Sequence, residues 1–160
     1  MDNIDTVIDA LERAPALVVP LVREMPIPLL KRRPTPEKWS VHEHACHLAT
    51  VHGVFFQRLD YLLSHPAPVI TPYLPGTDEP DDALMRMDLD DALASYSNDR
   101  ARLVERLRQV SPTEWAKSAI HPEYSRYTVF IMFRHLALHD LFHAYRIEEL
   151  VLNPAWGRGA

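Results

Sequence analysis

The chain has 160 residues, 47% of them apolar, which is enough for one domain, residues 1–160, around a single core. Its 22 acidic and 17 basic residues give a net charge of −5, with nine histidines uncounted. The absence of a basic stripe argues against nucleic acid, and no apolar run is long enough for a membrane span. A single cysteine, Cys46, excludes an intrachain disulfide. The acidic start, Met1-Asp-Asn-Ile-Asp, lacks the basic region of a secretory signal, so a cytoplasmic protein is expected.

The first predicted element is an amphipathic helix over 2–13, with Ile4, Val7, Ile8 and Leu11 on one stripe. Pro15 is expected to interrupt it, with a restart through Leu17, Val18, Leu21 and Val22. Pro26 and Pro28 end that stretch, and 31–38 reads as an extended connector. Ser40-Val-His-Glu43 has the form of a capping box opening a helix to about Leu63, with Val41, Leu48, Val51, Phe55, Leu59 and Leu62 facing inward. Segment 64–87 carries Pro66, Pro68, Pro72, Pro75 and Pro80; a connector of that length suits a lid. A third long helix is predicted over 88–109, with Leu89, Leu93, Tyr96, Leu103 and Leu107. Ser111-Pro-Thr-Glu114 is a second capping box for a short helix around Trp115. After a turn at 121–126, the last helix runs over 127–151, and Asn153-Pro154 stops it. No strand alternation is evident, so the fold class is all-α, a four-helix bundle.

The most informative residues are His139 and His143, four apart in the last helix and on the stripe of Met132, Leu136, Ile147 and Leu150. At that spacing both imidazoles project from one face and can reach one ion. Imidazoles aimed into a core are either a metal site or polar groups hydrogen-bonded to carbonyls. For a third ligand, periodicity alone chooses His44, because His47 lies about 80° from the centre of its own stripe. His135, one turn before His139, is a candidate fourth ligand or a residue at the solvent edge. His42, His52, His65 and His121 read as surface or connector histidines, with His52 and His121 as candidate pocket lining. His139-Asp-Leu-Phe-His143 mimics the zinc-protease pattern, but Asp140 reads as a supporting or surface carboxylate. Arg58 reads equally as a buried partner or a solvated charge. Trp39 is expected to pack at the bundle end and not on a ligand.

Three stretches together resemble the DinB-like superfamily: Trp39-Ser-Val-His-Glu-His-Ala-Cys-His-Leu-Ala49, His121-Pro-Glu-Tyr-Ser-Arg-Tyr-Thr-Val129 and His139-Asp-Leu-Phe-His143. The resemblance covers nearly the whole chain. It implies an up-down-down-up bundle holding a divalent metal, usually zinc or nickel, on His47, His139 and His143. Thr50 stands where an acidic residue is common, and Arg146 where a glutamine is common. The resemblance also implies a homodimer, to which Phe56 and Tyr61 are the candidate contributors, and a small-molecule substrate such as a low-molecular-weight thiol. The functional expectation is a metal-dependent hydrolase or thiol S-transferase, with no catalytic side chain assigned. The alternatives are a non-enzymatic, metal-stabilised binding or stress-response module, and a metal-free dimeric bundle holding a small apolar ligand.

Overall fold

The computed structural model describes residues 3–71 and 82–153. The long helices are α1 (Ile4–Glu24), α2 (Val41–Ser64), α4 (Leu89–Arg108) and α6 (Val129–Val151); α3 (Ala83–Arg86) and α5 (Pro112–Trp115) are single turns. Among the described residues there are no β-strands, only isolated bridges at Val69–Ile120 and Ser118–Thr128. No described helix is long and apolar enough to cross a membrane. Pro72, Pro75 and Pro80 of the proline-rich connector lie outside the described residues.

Each long helix begins where a side chain satisfies the first unpaired N–H groups. Asn3 caps α1, Asp88 caps α4 and Thr128 caps α6. Both predicted capping boxes form, at Ser40–Glu43 and Ser111–Glu114. Glu43 does more than cap. Its carboxylate, buried at the start of α2, also accepts Arg33 Nε at 3.0 Å from each oxygen. Arg33 in turn reaches Asp82 at 2.9 Å, so the 31–38 connector is tied to both α2 and the chain entering α3.

The predicted break at Pro15 does not occur. α1 runs unbroken through Pro15 and Pro20. A proline removes one i→i−4 hydrogen bond and leaves the earlier carbonyl free. For Pro15 that carbonyl belongs to Leu11, and Arg100 Nη1 of α4 donates to it at 3.1 Å. A neighbouring helix thus replaces the bond the proline cannot make.

Residue pairings give the topology. Leu11 and Glu12 meet Arg100 and Arg108 while Arg23 meets Asp90, so α1 and α4 are antiparallel. His52 and Asp60 meet Arg100 and Arg106, so α2 and α4 are parallel. His44 and His47 meet His143 and His139, so α2 and α6 are antiparallel. The order is up-down-down-up. Around the bundle α1 packs on α6 and α4, and α2 packs on α4 and α6. The parallel α2–α4 pair explains the long connector between them, since the chain must return to the starting end before α4 begins.

The core has two main clusters. One joins Leu11, Leu59, Leu62, Leu103, Leu107, Trp115, Phe133 and Leu136 toward one end. The other joins Val18, Val22, Leu48, Leu93, Tyr96 and Ile147 toward the other. Burying each of these large side chains stabilises the fold by about 1.5–3 kcal/mol relative to exposure.

Candidate metal centre

The antiparallel α2–α6 pair brings the predicted histidines face to face. His44 and His47 are three residues apart on α2, and His139 and His143 are four apart on α6, so each pair shares one helix face. His139 Nε2 lies 3.1 Å from His47 Nε2 and 3.1 Å from His143 Nε2. Each of the three residues offers a ring nitrogen, all within 4.8 Å of one another. His47 and His143 are buried, and His139 is the partly exposed member of the three.

His44, which the helical stripe favoured, does not face His139. Its Nδ1 lies 2.8 Å from Nδ1 of His143. The contact takes up the far nitrogen of His143 and leaves Nε2 turned toward His139. This arrangement places His44 behind the cluster and orients one of its members. His135 is also elsewhere: its ring packs on Tyr124 and Tyr127, with centroids 5.4 and 5.8 Å away. Among the described residues no fourth His, Cys, Asp or Glu joins the group.

Trp39 departs from expectation. Its indole lies over the cluster, 4.9 Å from the His47 ring and 5.9 Å from His143 in a stacked arrangement, with His44 at 5.5 Å. Residues just ahead of the Ser40 cap stand at the level of the first turn of α2, where His44 and His47 follow, so the indole covers the imidazoles. Beyond Trp39 and His44 a cavity of about 480 Å³ opens, lined also by Lys38, Arg146 and Glu149.

Burial holds these imidazoles neutral. It lowers His47 to about 3, His143 to about 2 and His44 to about 4, with repulsion from neighbouring histidines adding to the effect. His139 is lowered too, chiefly by burial, against the opposing pull of the Asp140 carboxylate. At neutral pH the cluster therefore presents lone pairs and not positive charge.

His139 Nε2 meets two other Nε2 atoms at once, and one nitrogen with a single proton or lone pair cannot make a full hydrogen bond to both. The spacing suits a shared cation instead. Two nitrogens each about 2.1 Å from one ion lie about 3.0–3.4 Å apart for angles between a right angle and tetrahedral. The observed 3.1 Å falls in that interval. Imidazole donors suit zinc, nickel, copper or ferrous iron in preference to calcium or magnesium.

A sequence model of the DinB superfamily matches residues 10–147. The chain belongs to the DinB superfamily. No curated protein matches it. Among solved structures it is similar to YfiT from Bacillus subtilis, described as a probable metal-dependent hydrolase with an unusual four-helix bundle topology. The two share 24% identity with a TM-score of 0.81, over 94% of this chain and 86% of YfiT, a likeness that carries the fold. The DinB resemblance seen in the sequence thus holds for family and architecture.

Other histidines fall differently from their sequence reading. His42 and His52 are buried, not on the surface. His42 Nε2 meets the Leu84 carbonyl at 3.0 Å and Cys46 Sγ at 3.5 Å. His52 accepts from Arg100 Nε at 3.0 Å. Arg58 does not enter the bundle interior; it donates to the Thr71 carbonyl at 2.8 Å. Thr50 donates to the His47 carbonyl at 2.9 Å. Asp140 is wholly buried and paired with Arg100, a partner that sequence reading missed. The signal was available: Arg100 sits on the stripe of Leu93, Tyr96, Leu103 and Leu107, where a solvated charge has no place.

Proposed function

We propose that this chain is a metal-dependent enzyme of hydrolytic type, with His47, His139 and His143 as ligands of a divalent transition metal, zinc or nickel. The observation that carries the reading is the convergence of three neutral imidazoles from two antiparallel helices, with paired Nε2 separations of 3.1 Å. A cation there supplies Lewis acidity, polarising a carbonyl and bringing water toward a neutral pKa. The chain does the rest. His47, His139 and His143 supply lone pairs kept free by burial. His44 accepts the Nδ1–H of His143 and so fixes which of its nitrogens faces the cluster. Trp39 covers His47 and His143 on one side, and the partly exposed His139 marks the side that we assign to substrate. Three protein ligands with room for an exchangeable one is the arrangement of a catalytic centre, whereas a purely structural centre is closed by four.

YfiT, with the same fold, is described as a probable metal-dependent hydrolase, which favours water as nucleophile. A low-molecular-weight thiol would use the same side, and we place the protein in the cytoplasm, where such thiols are abundant. The test is elemental analysis of the untreated protein and of His47→Ala, His139→Ala and His143→Ala, with hydrolysis of a panel of esters and amides measured before and after chelation. The expected result is about one metal per chain, lost in each variant, and activity restored by added metal. A wild-type protein that takes up neither zinc nor nickel overturns the proposal. Metal that raises the melting temperature while no nucleophile or substrate gives turnover favours the non-enzymatic brace.

We further propose that the chain is a homodimer joined through α6. Phe56 and Tyr61 are partly buried against the core and are poor candidates. Leu138, Leu141, Phe142 and Tyr145 instead form a half-exposed apolar face along α6. A second copy laid antiparallel, centred between residues 141 and 142, sets Leu138 opposite Tyr145 and Leu141 opposite Phe142. It also sets Arg134 opposite Glu149, an oppositely charged pair at each end of the seam.

A further inference from the structure

A second group of polar side chains lies inside the bundle, next to the histidine cluster but not part of it. Arg100 is 1% exposed and touches all four long helices. From α4 its Nη1 donates to the Leu11 carbonyl on α1 and to Asp140 Oδ2 on α6, and its Nε donates to His52 Nε2 on α2. Asp140 is equally buried. Tyr96, one turn before Arg100, is buried beneath the guanidinium, which stands 5.2 Å from the ring centroid. An ion pair this deep is expensive to desolvate, and apolar side chains of similar volume hold a bundle together at least as well. Stability alone does not account for the group.

Its unused hydrogen-bonding capacity does. His52 Nδ1, Tyr96 Oη, Arg100 Nη2, Asp140 Oδ1 and His139 Nδ1 are all buried and none makes a well-formed direct hydrogen bond, although His52 lies against the Leu48 and Ala49 backbone and Tyr96 against Asp140 and Arg100. Four belong to the polar group. The fifth is the far nitrogen of a cluster histidine, and the next residue in the chain is Asp140. His139 is near enough to feel the charges of both Asp140 and Arg100, and His52 feels His139.

Donor and acceptor roles follow from the contacts. His139 turns Nε2 toward His47 and His143, so a metal-binding His139 carries its proton on Nδ1. His52 Nε2 accepts from Arg100, so its proton is on Nδ1 as well. Arg100 Nη2 only donates. The incompletely bonded atoms thus comprise three donors, one carboxylate oxygen and one phenol. Buried polar groups left this way are costly, and a molecule that both accepts and donates, namely water, resolves the mismatch.

We propose that Asp140, held in place by Arg100, is a positioning residue for the metal centre. Through ordered water between these five atoms it receives the Nδ1–H of His139, and so fixes the tautomer and ring plane that present Nε2 to the cation. The inference rests on the reading of His47, His139 and His143 as metal ligands. It assigns His139 the counterpart of what His44 does for His143.

The test is cobalt binding to the full-length protein, comparing wild type with Asp140→Asn. The expected result is a 10- to 100-fold loss of cobalt affinity, of the order seen when partners of metal-bound histidines are removed, and a shifted visible cobalt spectrum. A purely structural Asp140 would lower the melting temperature of metal-free and loaded protein alike and leave affinity and spectrum as in wild type; that result overturns the inference. A wild type that binds no cobalt overturns the metal reading and this inference with it. If Asp140→Asn does not fold, nitrogen-15 NMR of histidine-labelled, zinc-loaded wild type decides. A slowly exchanging proton on His139 Nδ1 supports the assignment, and a proton in free exchange with solvent, or none, overturns it.

Discussion

The metal-free protein is expected to lose stability steeply as pH falls below about 6.5. Burial holds His44 at about 4, His47 at about 3, His52 at about 3 and His143 at about 2 in the folded protein. In the unfolded chain each returns to its ordinary value near 6.5. Below that value the unfolded state binds protons that the folded state refuses. The stabilisation is therefore complete above about pH 7 and is lost as pH falls from 6.5 toward the folded values. Near pH 5 about four more protons sit on the unfolded chain, which makes the slope roughly 5 kcal/mol per pH unit. Between neutrality and pH 5 each histidine removes about 2 kcal/mol, and the four together rival a typical total stability of about 5–15 kcal/mol. Urea unfolding of chelator-treated protein at about pH 7.5, 6 and 5, followed by circular dichroism, measures this directly. Stability level to within about 1 kcal/mol across that range would refute the claim that these imidazoles are neutral and buried.

Three further expectations rest on other parts of the structure. Replacing His44 by Ala removes the acceptor for His143 Nδ1 and should weaken zinc or cobalt binding by about 10- to 100-fold, read by chelator competition; His47→Ala should be far more severe. Arg100→Met strands the buried Asp140 carboxylate and frees the Leu11 carbonyl, at a cost of about 3–5 kcal/mol. For a chain of this size that is a melting point lower by about 6–20 °C in calorimetry, and a loss of a degree or two would argue that the pair is not buried as described. Leu141→Glu should convert the proposed dimer to monomer in sedimentation without changing the circular dichroism spectrum.

Where the long helices lie was legible because each carries a local signal, whereas the single turn α3, without a side-chain cap, fell inside the segment read as a connector. Ser40–Glu43 and Ser111–Glu114 announce helix starts through residues three apart, and both form as expected. Pro15 misled for the opposite reason. Its effect on α1 depends on Arg100, 85 positions away in sequence, and no local pattern reports a carbonyl satisfied from another helix. Periodicity favoured His44, whereas it is His47 whose Nε2 meets His139. A helix shows one stripe to its core, but α2 packs on both α4 and α6, and both His44 and His47 meet α6, so position on the stripe does not tell which of them meets His139. Asp140 and His52 were underestimated although each stands on an apolar stripe, beside Leu136 and His143 or Leu48 and Val51. A polar residue in such a position needs a buried partner, and a single sequence does not name the partner.

The histidines gathered by α2 and α6 are contributed by segments 92 positions apart. A cation held between them joins distant stretches of chain as a crosslink would, restricting the unfolded ensemble as a closed loop of that size does, an effect of about 4–5 kcal/mol in the chain-entropy treatment of disulfides. Two of the three nitrogens come from the final helix. During synthesis, a nascent chain that has not yet emerged through residue 139 has only one of them to offer. On the proposed ligand set, metal capture would await α6, and a fragment truncated before α6 would lack both of its donors and the tether.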